Sequence, residues 1–330
     1  LTQSTSESSR FCNLNDQSWI TAVIPLSIIP ADAEPLTGFR RFFHESVLTL
    51  KLGIPVVIAQ ILLISMQFVD TVMAGHVSAR DLAALGIATA LFHPLLLLMV
   101  GVLMAVTPMV AQLKGSQKDD RISKVVADAL QLSLVFALPL ILLLHLLEPL
   151  MEFIGYPEEV SRIGDGYLQA VAWGVPAMLA YDVFRHFNEG VALTRPNMYF
   201  HIIGLMLNIL GNYTLMFGHF GFPAMGAVGA GWSTALVWNM MFLMMILFSF
   251  KNSRLRKYLK LGDFFRIHLL NTREILRIGV PNGLSIGAET GLFALVALMM
   301  GTLGVHVMAA HQIAINVAAI TFMVPLGISV

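Results

Sequence analysis

The sequence of 330 residues is 57% hydrophobic and only 12% charged, with a mean hydropathy of +0.76. A soluble domain carries about 25% charged residues, so this composition indicates an integral membrane protein. The formal net charge is zero, and the single cysteine, Cys12, excludes an intramolecular disulfide. No nucleic-acid-binding module is visible in the sequence.

In chain order, eight apolar segments are long enough to cross a bilayer as helices. A span needs about 20 apolar residues, and only helices satisfy their own backbone in lipid at this length and hydrophobicity. We therefore predict an all-α, polytopic membrane protein. The eight predicted spans are residues 46–74, 82–112, 124–147, 160–184, 197–217, 226–250, 274–301 and 305–330.

The basic residues orient these spans. Eighteen of the 20 Lys and Arg residues precede the first span or flank even-numbered connections, and only Arg80 and Arg162 fall on the other side. By the positive-inside rule the basic side is cytoplasmic, so we expect a cytoplasmic N-terminus.

The spans suggest four parts of the chain. Residues 1–43 are rich in Ser and Thr and resemble neither a signal peptide nor a span, so we interpret them as a flexible N-terminal leader. Residues 44–250 form a first six-helix bundle, residues 251–271 a cytoplasmic connecting loop, and residues 272–330 the first two helices of a second bundle.

An internal repeat supports this division. The sequence KLGIP at residues 51–55 recurs as RIGVP at residues 277–281, an offset of 226, and the same offset aligns Gly101 with Gly327. An even number of spans per unit keeps both copies in one orientation, related by an axis along the membrane normal, as in transporters that place the substrate between two halves. We therefore expect the chain to be truncated after eight of twelve helices.

One acid lies deep in the seventh span. Glu289 is the twelfth residue of the apolar stretch 278–301, whose 24 residues would rise about 36 Å as a helix. An acidic side chain at the bilayer centre costs about 2.5–3.5 kcal/mol, so such a group usually faces a cavity and binds a proton, a metal cation or a positively charged ligand. Glu289 therefore indicates transport.

A second acid could share a site with two amides. Asp70 lies near the outer end of the first span, and Asn208 and Asn212 share one face of the fifth span. Together they could offer a cation such as Na⁺ several hard oxygen ligands. The alternative is that Asp70 reaches interface water while the asparagines bond between helices.

The cytoplasmic end of the fourth span carries three charges. Asp182, Arg185 and Glu189 are spaced at i, i+3 and i+7. We predict a solvated, ion-paired helix end rather than a gate, because Asp182 and Arg185 can pair locally.

Several motifs together resemble the multidrug and toxic compound extrusion (MATE) family, in its bacterial NorM-like branch. The resemblance covers roughly residues 44–330 in colinear order. The motifs are FVDTVMAGH at 68–76, NEGVALTRPNM at 188–198, NILGNY at 208–213, GAVGAGWSTAL at 226–236 and RIGVPNGLSIGAE at 277–289.

The resemblance implies a twelve-helix, two-bundle antiporter in the bacterial inner membrane that exports organic cations in exchange for Na⁺ or H⁺. In that family the acid of helix one, here Asp70, and the asparagines of helix five, here Asn208 and Asn212, belong to the cation site of the first bundle. The acid of helix seven, here Glu289, serves the second bundle, and the helix-ten acid has no counterpart in this chain. Similarity to the NorM-like branch favours Na⁺.

The expected partners are cationic amphipathic small molecules and membrane lipid. We expect no cofactor besides the coupling ion, no nucleic acid and a monomeric protein.

Two other functions compete with this interpretation. The sequence GLSIG at residues 283–287 matches the G-x-S-x-G nucleophile elbow, and His306 or His311 could serve as a base in an intramembrane serine hydrolase. That elbow needs a strand-to-helix turn, whereas Ser285 lies within an apolar stretch predicted to be helical. A flippase for lipid-linked precursors would share the architecture, but we expect it to line its cavity with basic residues, and the central spans carry acids and amides instead.

Overall fold

The computed structural model describes residues 39–265 and 269–329, which form twelve α-helices and one short 3-10 helix, Leu261–Phe265. Residues 1–38 of the predicted leader lie outside the described residues. The helices are α1 (Phe39–Val77), α2 (Ala79–Leu103), α3 (Val106–Gly115), α4 (Asp119–Leu144), α5 (Glu148–Ile154), α6 (Glu158–Ala172), α7 (Val175–Gly190), α8 (Arg195–Leu215), α9 (Ala227–Lys251), α10 (Ser253–Arg256), α11 (Leu269–Thr302) and α12 (Val305–Ser329).

The all-α, multi-pass fold class is confirmed, and the described residues of each of the eight predicted spans are mostly helical. In the described part of the chain, five helical segments are both long and apolar enough to cross a membrane on those criteria alone. Three predicted spans, 160–184, 197–217 and 305–330, are not among these five, and the first two differ for visible reasons. The fourth is broken at Trp173 and Gly174 into α6 and α7, and α8 is a 21-residue helix whose polar side chains lower its hydropathy. The five segments are Gly53–Val77, Ala79–Gly115, Asp119–Leu144, Ala227–Lys251 and Asn271–Thr302.

Helix α9 is central to the packing of the first bundle. That helix packs against α6, α7 and α8, while α1 packs along α8, α2 along α6, and α4 along α7. Glycines bring α8 and α9 together. A Cβ atom added at Gly204 would lie 2.5 Å from the Met241 sulfur, and one at Gly229 would lie 2.5 Å from the Leu215 carbonyl oxygen. Small residues at such points let helix backbones approach closely in a membrane.

The connection after α9 folds back onto the N-terminal end of α4. The Lys260 backbone N–H donates to Ser123 Oγ at 2.9 Å, and Lys260 Nζ donates to Asp120 Oδ1 at 2.6 Å. This hydrogen bond and the charge of Asp120 raise the pKa of Lys260. Part of the predicted loop 251–271 is thus attached to the first bundle.

Helix α11 packs closely along α2. A Cβ atom at Gly283 would lie 2.5 Å from the Leu98 carbonyl oxygen and 2.8 Å from Val102 Cγ2. One turn further, a Cβ atom at Gly287 would lie 3.1 Å from Leu98 Cβ. Beside this glycine face, Asn282 Nδ2 donates to the Gly101 carbonyl oxygen at 2.8 Å. Glycine at these positions therefore sets the separation of the two helices.

The contacts between the two units follow the sequence repeat. The repeat equates α1 with α11 and α2 with α12. The symmetry that relates the two units would therefore superpose the contact between α2 and α11 on the contact between α12 and α1. Both pairs of helices are in contact. Gly86 and Gln312 are equivalent by the offset of 226, and a Cβ atom at Gly86 would lie 3.3 Å from Gln312 Oε1. A residue that touches its own equivalent lies close to the axis relating the units, which supports an axis between α2 and α12.

The glycine face of α11 can be tested by adding a methyl group. Gly283→Ala should lower the free energy of unfolding by about 1–3 kcal/mol, because the new Cβ must push apart two backbones. Gly291→Ala, on the same helix with nothing within 4 Å of the added Cβ, should be neutral or slightly stabilising. Thermal unfolding of the two variants in detergent measures the difference, and equal effects would contradict the close packing described above.

Candidate cation site

Three polar side chains from α1 and α8 meet inside the first bundle. Asp70 Oδ1 accepts hydrogen bonds from Asn208 Nδ2 at 2.9 Å and from Asn212 Nδ2 at 2.6 Å. The two asparagines lie one turn apart on α8 and therefore point at α1 together. The structure thus brings together the three residues singled out in the sequence.

The cluster is closed to solvent. Asp70 is 7% exposed, and Asn208 and Asn212 are fully buried. Among the described residues, no Lys, Arg or His lies within ion-pair distance of the Asp70 carboxylate. Only neutral hydrogen-bond donors compensate the charge here, and a buried carboxylate without a cationic partner is energetically unfavourable. This arrangement favours the binding of a cation or a proton over a purely structural role.

A fourth residue, Thr234 of α9, completes the cluster. Its Oγ1 donates to Asp70 Oδ2 at 3.5 Å, and its neighbour Ser233 donates to the Asn208 carbonyl oxygen at 3.4 Å. Sequence reasoning did not single out Thr234, because a threonine inside a helix ordinarily bonds its own backbone. The only sequence signal was its place in the motif GAVGAGWSTAL.

The side-chain amides of Asn208 and Asn212 could present either a donor N–H₂ group or an acceptor oxygen to the middle of the cluster. Asn212 Oδ1 is buried without a hydrogen-bond partner, and Asn208 Oδ1 receives only a long contact of 3.5 Å from Asn212 Nδ2. Rotation of either amide about its last bond would exchange a donor N–H₂ for an acceptor oxygen. With both amides rotated, Asp70, Asn208, Asn212 and Thr234 offer a set of oxygen ligands suited to a hard cation.

Glu289 is separate from this cluster. It lies within α11, its side chain is exposed, and it makes no hydrogen bond or ion pair among the described residues. The α11 glycines that contact α2 occupy a different face of the helix. The four predicted residues therefore divide into a buried group of three in the first bundle and one solitary acid in the second unit.

The charged end of α7 differs from its prediction. The ion pair is present, with Arg185 Nε donating to Asp182 Oδ1 at 2.8 Å. The expected solvation is wrong, because Asp182 and Arg185 are each only 9% exposed. Packing of α3, α4 and α9 around α7 covers these residues, which periodicity within one helix does not reveal.

The hydrolase alternative does not fit the backbone. Ser285 lies inside the uninterrupted helix α11, so the strained strand-to-helix turn of a nucleophile elbow is missing at this position. Among the described residues, no group of three or more His, Cys, Asp or Glu side chains could hold a metal ion.

The shared hydrogen bonds of the cluster predict non-additive mutations. Asn212→Ala should lower the free energy of unfolding by about 1–3 kcal/mol, because a buried charge loses a donor. The same change should have a smaller effect in an Asp70→Asn background, where no charge needs that donor. Chemical unfolding of the four proteins in detergent gives the coupling energy. Asn239→Ala, an exposed amide on α9, is the control and should add independently to Asp70→Asn. Additivity for Asn212 as well would contradict the shared cluster.

Comparisons with known proteins agree with this architecture. Residues 55–214 match the MatE family model. A protein named multidrug resistance protein NorM from Photobacterium profundum is 39% identical over 291 residues, which cover 88% of this chain and 64% of that protein. The NorM of Aliivibrio fischeri is 40% identical over 291 residues, covering 88% of this chain and 63% of its own length. The chain thus spans slightly under two thirds of these relatives.

Solved structures show the same fold. The MATE multidrug transporter DinF-BH superposes with a TM-score of 0.77 at 18% identity, over 85% of this chain and 62% of that one. The eukaryotic MATE transporter AtDTX14 gives a TM-score of 0.72 at 17% identity, over 86% of this chain and 65% of that one.

Proposed function

We propose that this multi-pass membrane protein belongs to the MATE family and forms part of an antiporter that exports organic cations. The match of residues 55–214 to the MatE family model and the similarity to NorM proteins support this assignment. In this proposal the chain supplies the first six-helix bundle and the beginning of the second. Its relatives are named as multidrug resistance proteins, which supports cationic amphipathic drugs and dyes as substrates. The ion gradient supplies the energy, so no cofactor is required, and the protein acts as a monomer.

The observation that carries the proposal is the buried charge of Asp70, which has no cationic partner among the described residues. A carboxylate held only by neutral donors gains most from an arriving cation, and it can hold a proton, Na⁺ or a cationic drug, but not all of them well. Competition for one negative charge produces exchange. If the bundles rock between outward and inward states only when a site is occupied, an inward ion gradient drives the drug out.

Na⁺ is the coupling ion that the ligand set favours. The cluster contains four oxygen-bearing side chains and no nitrogen or sulfur ligand of the kind that transition metals prefer. A proton would need only the Asp70 carboxylate. The oxygen atoms of Asn208, Asn212 and Thr234 would act as ligands only for a larger cation.

Glu289 is the acid of the second unit in this proposal. Its exposed side chain lies within the apolar helix α11, and an acid at such a depth usually faces a cavity. In this proposal Glu289 therefore faces the space between the two bundles. A flippase for anionic lipid precursors is disfavoured, because Asp70 has no basic neighbour and Arg185 is already paired with Asp182.

A chimera tests the proposal directly. In it, this chain replaces the matched region of Photobacterium profundum NorM, and efflux of a cationic dye is followed in cells that lack their own pumps. Asp70→Asn and Glu289→Gln should each reduce Na⁺-driven efflux at least tenfold, because each removes a charge while keeping the shape. A tenfold loss corresponds to about 1.4 kcal/mol.

Glu158→Gln is the matched control, because Glu158 is an exposed acid at the start of α6. It should leave efflux unchanged at equal expression. If Asp70→Asn and Glu158→Gln showed equal efflux, the proposed site would be excluded. If a pH gradient alone drove efflux, the coupling ion would be H⁺ instead of Na⁺.

The proposal places the protein in the bacterial inner membrane with its N-terminus on the cytoplasmic side, and this orientation has its own test. In a Cys12→Ser background, single cysteines at Ala224 and Ser253 are both exposed but lie on connections that should face opposite sides. An impermeant thiol reagent should label Ala224→Cys in intact cells and Ser253→Cys only after permeabilisation. The reverse pattern would invert the topology.

A further inference from the structure

A second buried polar cluster lies at the cytoplasmic end of the first bundle, where α7 leads into the motif NEGVALTRPNM. Asp182, Arg185, His186 and Glu189 project from the last three turns of α7. Their side chains are nearly enclosed, with Arg185 11%, His186 3% and Glu189 11% exposed. The proposed exchange at Asp70 makes no use of this cluster.

The cluster holds more negative than positive charge. Arg185 Nε lies 2.8 Å from Asp182 Oδ1, and its NH1 lies 4.0 Å from Glu189 Oε1. One guanidinium therefore faces two carboxylates. Charges in a low-dielectric interior are stable only when they are paired, so one negative charge is left to be compensated.

His186 stands between these charges in one defined tautomer. Arg185 NH2 lies 3.4 Å from His186 Nε2, and because a guanidinium can only donate, Nε2 must accept. The ring proton is then on Nδ1, which lies 3.2 Å from Glu189 Oε2 and 3.1 Å from Thr107 Oγ1. The Thr107 hydroxyl donates to the His186 carbonyl oxygen at 3.3 Å, which leaves its oxygen free to accept from Nδ1. The Arg185 contact therefore indicates that Nε2 carries no proton in this geometry.

We propose that His186 is a proton-binding site whose occupancy is sensed by Arg185. A proton taken from water at the cytoplasmic end would add to Nε2 and leave two positive charges facing the two carboxylates. Nε2–H would then point at the Arg185 NH2 group, a donor facing a donor, so that contact must break. The Nδ1–H bond to Glu189 becomes stronger with the charge, and Arg185 keeps Asp182 as its partner.

The charged and titratable groups around His186 leave it as the group suited to take this proton. On α8, His201 is already held by the Asn197 carbonyl oxygen at 2.7 Å, and Tyr181 of α7 lies 3.3 Å from the same ring nitrogen. On α3, Lys114 donates to the Val191 carbonyl oxygen.

The ionisable side chains of α4 are engaged elsewhere or exposed. Asp128 accepts from Asn271 at 3.0 Å, while Asp119 and Asp120 pair with lysines of the connection after α9. Arg121 is exposed and Lys124 lies at the same cytoplasmic end of the helix. Helix α9 has no charged side chain before Lys251.

The switch reaches α8, the helix that carries two residues of the cation cluster. Asn197 Nδ2, in the first turn of α8, contacts the Arg185 carbonyl oxygen at 3.4 Å and Glu189 Oε1 at 3.5 Å. A proton on His186 draws Glu189 toward the ring and so alters one of the contacts that hold the start of α8. His186 is thus a positioning residue, and its proton acts through Glu189 and Asn197.

The test is a titration of the purified 330-residue chain in detergent micelles. With ¹⁵N-labelled histidine and arginine, the ring nitrogens of His186, identified by their loss in His186→Gln, and Arg185 Nε are followed from about pH 8 to about pH 5, the range in which histidine changes charge. At high pH only Nδ1 should carry a proton. At low pH both nitrogens should be protonated, and Arg185 Nε should shift with the same midpoint.

Two further measurements separate this switch from a passive ring. Glu189→Gln removes the carboxylate that stabilises the charged ring and should lower its proton affinity at least tenfold. The exposed His145 should titrate without any shift of Arg185 Nε. A His186 ring that stays neutral throughout, or one that is protonated while Arg185 Nε does not move, would overturn the proposal. The titration of the unmodified chain decides this even if Glu189→Gln fails to fold, and none of these readouts depends on transport.

Discussion

The desolvation of the Asp70 carboxylate is the constraint on which the first bundle depends. A charge that is 7% exposed needs donors on every side, and they come from two other helices, Asn208 and Asn212 on α8 and Thr234 on α9. Those helices must therefore approach α1 and one another closely. The glycines between α8 and α9 permit this approach, so the same close packing of helices also brings the donors to the Asp70 carboxylate.

The contacts between the two units differ in kind from the contacts within the first bundle. Along α2 and α11 the contact is backbone against backbone, and it depends on Gly283 and Gly287 rather than on large side chains. Such a seam has little side-chain interlocking, so small sliding or tilting movements require few rotamer changes. Within the first bundle, by contrast, buried hydrogen bonds connect α1, α3, α7, α8 and α9 and favour motion as one body.

Much of this was accessible from the sequence because its signals were local. Hydrophobic length gave the helices, and the four-residue spacing of Asn208 and Asn212 gave a shared face that the structure turns toward Asp70. Contributions that depend on a neighbouring helix could not be predicted. Thr234 looks like any helical threonine until α1 is beside it, and the burial of Arg185 follows from α3, α4 and α9. The break at Trp173 and Gly174 has a local signal in Pro176, which begins the next helix. Its close fit is nonlocal, since a Cβ atom at Gly174 would lie 2.8 Å from the Cα atom of Ala235.

The contact between Gly86 and Gln312 shows what duplication allowed this architecture to do. Where two identical subunits meet at a symmetry axis, the same side chain faces itself, so two glycines would leave a gap and two glutamines would compete for the same volume. A single chain carrying both copies is free of that restriction. Here one copy supplies the space and the other the side chain that fills it. Fusion of the halves thus permits an asymmetric fit at the centre, which a dimer of identical units could not form.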